Sequence, residues 1–251
     1  MFRRFPFSLL TLVAAMTATS RAADPDHRDR FQEQTFEAAG HKLLYRRLSP
    51  QKVEPGVKYP LVVFLHGAGE RGADNQKQLV HGMNDFAQDA MMAKYPAFVI
   101  APQCPEGKKW VEVDWTHDAH TTPQEPSEPL AATLALIDDL LKSEPIDKSR
   151  VYITGLSMGG YGTWDALERR PELFAAAAPI CGGGDPAGVA KYKDVPIWAF
   201  HGDKDTAVKP HRSREMIAAL KAAGGQPKYT EYAGVGHNSW APTYSDPALY
   251  E

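Results

Sequence analysis

The chain has 251 residues, a length that suits a single α/β domain. Its 43% hydrophobic and 24% charged residues match an ordinary globular protein and exclude a fibrous or disordered one. A formal net charge of -3 supplies no basic field to recruit nucleic acid or an anionic membrane surface, so a small or neutral partner is expected.

The first segment reads as an export signal. Met1-Phe-Arg-Arg carries positive charge, Phe5 to Met16 is apolar, and Ser20-Arg-Ala22 ends in small residues. A signal peptide over 1–22 is predicted, with export to the periplasm or beyond and one domain over 23–251. The apolar stretch is shorter than the roughly 20 residues of a membrane-spanning helix, and no cysteine follows it to carry a lipid, so no membrane anchor is expected.

Next, Gln34-Thr-Phe-Glu-Ala and His41-Lys-Leu-Leu-Tyr-Arg-Arg-Leu alternate apolar and polar residues about Ala39-Gly40, which predicts a hairpin. The pattern then changes to short continuous apolar runs: 59–65, 97–101, 150–154, 174–180 and 195–200. Such runs are strands buried on both faces of a parallel sheet, and Lys228-Tyr-Thr-Glu-Tyr is a further strand. Helical spacing appears over 129–143, 158–167 and 211–223, the last stopped by Gly224-Gly225. The expectation is one α/β domain: a mostly parallel central sheet of about eight strands, flanked by helices on both faces.

Two long connections, 66–94 and 102–128, follow strands, and ordered connections of that length are usually functional. The chain stops at Glu251 inside what begins as a final helix, Asp246-Pro-Ala-Leu-Tyr-Glu, so a last element is expected to be incomplete. Cys104 and Cys181 each follow a predicted strand. A disulfide between them and two free buried thiols both stay open, since bonding requires their loops to converge.

Gly155-Leu-Ser157-Met-Gly159 fits the pattern G-x-S-x-G between a buried strand and a helix. In that context the turn holds the serine strained, with its hydroxyl exposed at the carboxyl edge of the sheet, and the glycines let neighbouring backbone approach. A serine hydroxyl needs a base in hydrogen-bond reach, and the base needs an orienting acid. His237, in the loop Gly234-Val-Gly-His-Asn, has the best position among the histidines. Asp203 and Asp205 compete for the acid; Asp205 is preferred because a residue beyond the strand end reaches over to the histidine loop, whereas the nearer one caps the turn. The oxyanion hole is expected from the Met158 amide and the Ala68 amide of His66-Gly-Ala-Gly69. His66 itself is expected to brace that loop. Glu70, Arg71, Trp110, Trp115 and Trp240 are candidates to line the substrate pocket, the two loop tryptophans alternatively covering the core edge.

Together, His66-Gly-Ala-Gly-Glu-Arg-Gly72, Ala101-Pro-Gln-Cys-Pro105, Gly155-Leu-Ser-Met-Gly-Gly-Tyr-Gly162, Ile180-Cys-Gly-Gly-Gly-Asp185, the Asp205 segment and Gly236-His-Asn-Ser-Trp240 resemble the α/β-hydrolase fold. More narrowly, they are similar to bacterial esterases of the polyhydroxybutyrate-depolymerase, feruloyl-esterase and phospholipase/carboxylesterase group. The resemblance implies a serine carboxylesterase acting on a small-molecule or polymer-linked ester, with Ser157 as nucleophile, His237 as base and Asp205 as orienter, and with no metal or organic cofactor. A prolyl-oligopeptidase-like peptidase shares the fold and triad order, and a non-catalytic binding protein could share the scaffold.

Overall fold

The computed structural model describes residues 25–38 and 40–251. The predicted signal peptide, 1–22, lies outside them. Eight strands form one sheet: β1 Gln32–Ala38, β2 His41–Leu48, β3 Tyr59–Leu65, β4 Phe98–Pro102, β5 Ile146–Leu156, β6 Ala176–Ile180, β7 Trp198–Gly202 and β8 Lys228–Tyr232. Their order is β1-β2-β4-β3-β5-β6-β7-β8. The β1–β2 and β2–β4 pairs are antiparallel and all the others parallel.

Among the described residues, six α-helices accompany the sheet: α1 Met83–Phe86, α2 Asp89–Lys94, α3 Glu128–Ser143, α4 Met158–Arg169, α5 His211–Ala222 and α6 Trp240–Tyr244. Alternation along each strand sends successive side chains to opposite faces. Leu61, Val63 and Leu65 of β3, with Phe98 and Ile100 of β4, pack into one cluster with Leu136 and Ile137 of α3, Trp164 of α4 and Met216 of α5. Phe64, Val99 and Ala101 point the other way and pack with Met83 and Phe86 of α1, Met92 of α2 and Tyr244 of α6. No helix among the described residues is long and apolar enough to cross a membrane.

The strand order also positions the site. From β3 the chain crosses to β4 on one side, and the later strands β5 to β8 build outward on the other, so neighbouring connections diverge and leave a crevice at the carboxyl edge. Leu65, the last residue of β3, pairs with Gly155 of β5. The loop after β3 and the turn after β5 therefore emerge side by side.

Several predicted boundaries move. β5 begins at Ile146 rather than near Arg150 because its first half, with exposed Lys148 and Ser149, lacks an apolar signature. β7 starts only at Trp198, since Pro196 has no amide to donate and Ile197 makes just an isolated bridge to Ala177. The connection after β3 contains 3-10 turns at Ala68–Glu70 and Lys77–Leu79 as well as α1 and α2. Near the C-terminus, α6 is followed by a 3-10 turn, Pro247–Tyr250, capped by the Asp246 side chain on the Ala248 amide.

Candidate active site

Ser157 lies between β5 and α4 with φ 54° and ψ -116°, a conformation that costs a non-glycine residue about 1–3 kcal/mol and persists only where the surroundings enforce it. They do so here. The Ser157 amide donates to Ile180 O at 2.9 Å and its carbonyl accepts from the Tyr161 amide at 3.1 Å. A Cβ on Gly159 would overlap the carbonyl oxygen of Leu65, and one on Gly160 would stand 2.5 Å from Ile180 O. These glycines let α4 press against the ends of β3 and β6. Gly159→Ala is therefore expected to lose roughly 3 kcal/mol or more of stability. Gly69→Ala, where a Cβ meets nothing within 4 Å, should change it by less than about 1 kcal/mol. Urea midpoints of the two variants test the contrast; equal midpoints would contradict it.

His237, in the loop after β8, reaches the same point. Its Nε2 is 2.9 Å from Ser157 Oγ, and its Nδ1 is 2.7 Å from Asp205 Oδ2. Because a carboxylate faces Nδ1, that nitrogen carries the proton and Nε2 is left to accept from the serine. Asp205 is buried. Burial opposes its ionisation, but hydrogen bonds from His201, His237 and the Val208 amide outweigh it and hold the carboxyl well below the usual carboxylate range. Its second oxygen, Oδ1, accepts from the Ala207 and Val208 amides at 2.9 and 3.0 Å. Asp203 instead accepts from the Gly234 amide at 2.7 Å, tying the turn after β7 to the base of the histidine loop.

The Met158 and Ala68 amides begin α4 and the turn after β3, so neither has an acceptor within its own helix. His66 braces the second of these. Its Nε2 accepts from the Cys104 amide at 2.9 Å, which leaves Nδ1 to donate to Gly67 O at 2.6 Å. Burial pushes this imidazole down to about 4, so it is neutral at pH 7. The sign of the linkage follows: the unfolded chain takes up the proton near pH 6.5 and the folded one only near 4, so stability falls as pH drops through that window. The loss attributable to His66 is of order 3 kcal/mol. His120, lowered to about 4 by burial and by Arg212, acts in the same direction. Urea unfolding at pH 7 and pH 4.5 measures it, and a flat profile would refute the assignment.

The expectation that Trp110 lines the pocket is corrected. Its ring is fully buried in the core between the sheet and α4, in contact distance of any Cβ added at Gly162, and its Nε1–H donates to His66 O at 2.9 Å. Of the two alternatives for this residue, the structure takes the core one. Arg71 is turned toward the protein, donating to Ala68 O at 2.8 Å and Lys108 O at 3.3 Å. Trp115 is half-buried, with Lys109 Nζ 4.8 Å from its ring. Trp240 stands edge-on to His237 at a ring separation of 5.2 Å, and its ring also meets His81 at 5.2 Å. His81 in turn lies 3.6 Å from the Glu70 carboxylate. Glu70, His81 and Trp240 thus line up beside the imidazole.

Two neighbours, His81 and His201, escape the sequence reading, and a third, Cys181, enters it only as a thiol, paired or free. His81 offers only a lone histidine before a glycine. His201 is fully buried on β7 and contacts Ser213 Oγ at 2.7 Å, Val208 O at 2.9 Å and Asp205 Oδ2 at 3.2 Å; its signal was its position four residues ahead of the acid. Cys181 is free, as is Cys104. The two thiols belong to core clusters on opposite faces of the sheet, so no disulfide joins them. Burial raises both, Cys104 up to about 12. A groove of about 800 Å³ over Val62, Tyr152, Ala178 and Trp198 includes none of Ser157, Asp205 or His237.

A serine on a strand-to-helix elbow, facing a histidine and an aspartate across the carboxyl edge of such a sheet, defines the α/β-hydrolase fold. Residues 53–246 match the phospholipase/carboxylesterase family model, and the chain belongs to that family. Among solved structures it is similar to a thermostable esterase, with 45% identity and a TM-score of 0.83 over 89% of this chain and 62% of that one. Among curated proteins it is 30% identical to a bifunctional acetylxylan esterase/xylanase of Neocallimastix patriciarum over 58% of this chain and 19% of the relative. It is 31% identical to poly(3-hydroxyalkanoate) depolymerase C of Paucimonas lemoignei over 49% of this chain and 28% of the relative. The matched regions are thus less than a third of those two curated relatives.

Proposed function

We propose that the protein is an exported serine carboxylesterase. One observation carries the reading: Ser157 Oγ, His237 and Asp205 stand in a single row at 2.9 and 2.7 Å, with the serine held at a positive φ on the elbow. His237 Nε2 takes the Ser157 proton as Oγ attacks an ester carbonyl, and the Asp205 carboxylate stabilises the imidazolium that forms. The Met158 and Ala68 amides receive the developing oxyanion, worth several kcal/mol of barrier. The imidazolium then protonates the departing alcohol, and the acyl-serine is cleared by water activated at the same nitrogen. No step calls for a metal or an organic cofactor.

The ester class is supported by the similarity to the thermostable esterase, the acetylxylan esterase and the depolymerase. Glu70, Trp115 and Trp240, the last beside His237, are proposed to contact substrate. Arg71 acts there by bracing the Ala68 loop. A fluorophosphonate probe tests the reading. It should form one adduct, on the peptide containing Ser157, and none after Ser157→Ala; an adduct elsewhere would refute it. Export rests on the 1–22 pattern. Protein recovered from the periplasm of an expressing bacterium should begin at Ala23, and an intact Met1 there would overturn that part.

A further inference from the structure

Among the described residues, Cys181 is a buried thiol beside the triad that the proposed reaction does not use. It follows β6 with φ 39° and is fixed by its amide, which donates to Phe200 O at 2.8 Å. Its Sγ, a carboxylate oxygen of Asp205 and a ring nitrogen of His237 all lie within 4.8 Å of one another. Next to the thiol stands Ser239, fully buried, whose Oγ interacts with the Cys181 thiol and has no other hydrogen-bond partner. A sulfur, a nitrogen and an oxygen donor thus converge on one point, with a buried hydroxyl at its side whose one polar neighbour is the thiol.

We propose that Cys181, Asp205 and His237 form a latent site for a thiophilic divalent cation of the zinc or cadmium type, and that filling it switches catalysis off. One thiolate, one imidazole and one carboxylate are a zinc-like donor set, with a fourth position for water or the Ser239 hydroxyl. Magnesium and calcium, which take oxygen ligands almost exclusively, are poorly served by it. Closing the site needs the thiol sulfur to draw in and the 2.7 Å hydrogen bond between His237 Nδ1 and Asp205 Oδ2 to open around the ion, and His237, the partly exposed member, gives the path of entry.

The consequence for the reaction follows from the protons. As the metal–sulfur bond forms, the thiol proton leaves to solvent. The metal takes the Nδ1 lone pair, so the imidazole proton moves to Nε2, and no electrons are transferred. Nε2 then donates instead of accepting, and Ser157 has lost its base. The cation inactivates the enzyme from behind the histidine without touching the serine.

Two readouts separate this idea from the catalytic reading, on which only the inhibition arm rests. Cadmium chloride added to the protein should give thiolate-to-metal charge-transfer absorption in the ultraviolet, retained in Cys104→Ala and lost in Cys181→Ala. Zinc chloride should inhibit hydrolysis of p-nitrophenyl butyrate where magnesium chloride does not, and Cys181→Ala should raise the inhibitory zinc concentration about tenfold or more. The proposal is overturned by absent absorption in wild type and Cys104→Ala, or by unchanged zinc sensitivity in Cys181→Ala. If Cys181→Ala does not fold, Cys104→Ala decides, because only one thiol remains in it.

Discussion

Ser157→Ala is expected to lower kcat for p-nitrophenyl acetate by a factor of about 10^6, the loss seen when a serine hydrolase is deprived of its nucleophile. The remaining turnover, about 10^3-fold above water, would come from binding and the oxyanion donors alone. Folding should be little affected. Alanine keeps the Cβ that the elbow already accommodates at φ 54°, and the backbone bonds to Ile180 O and from the Tyr161 amide do not involve the side chain. The urea midpoint should therefore stay within about 1 kcal/mol of wild type. Turnover by Ser157→Ala within tenfold of wild type would remove Ser157 from the chemistry, whatever its geometry.

What the sequence disclosed depended on how each segment meets solvent. β3 and β4 are buried on both faces and read as unbroken apolar runs. The polar first half of β5 hid the strand's start, and α1, α2 and α6, only four to six residues long, are too short for a helical period to register. Ser157 was legible because the steric demand at Gly159 and Gly160 is written in the residues themselves. Asp205 and His237 were legible through order and placement after strands. Trp110 was not, since an aromatic residue in a loop without periodicity carries no sign of whether it faces inward. His201 carried only its spacing of four residues ahead of Asp205 as a signal, and Cys181 reaches the site through the lateral packing of β5, β6 and β7, which no local pattern encodes.

Asp205→Asn should lower kcat by about 10^4, close to 5 kcal/mol of barrier, and the hydrogen bonds explain why a neutral isostere fails. Oδ1 accepts from two backbone amides, Ala207 and Val208, so the asparagine oxygen is retained there. That turns the new NH2 toward His237 Nδ1, where Asp205 Oδ2 now lies at 2.7 Å. Nδ1 can then only accept, the imidazole proton shifts to Nε2, and the nitrogen 2.9 Å from Ser157 Oγ can no longer take the serine's proton. The fold keeps both amide bonds but loses the hydrogen bond from His201 to Oδ2, so a modest loss of stability accompanies the loss of turnover. Asp203→Asn provides the contrast: its oxygen can still accept from the Gly234 amide, and no ring depends on its charge, so kcat should change less than tenfold. Steady-state turnover of both variants decides between the two aspartates, and a crippled Asp203→Asn beside an active Asp205→Asn would reverse the assignment.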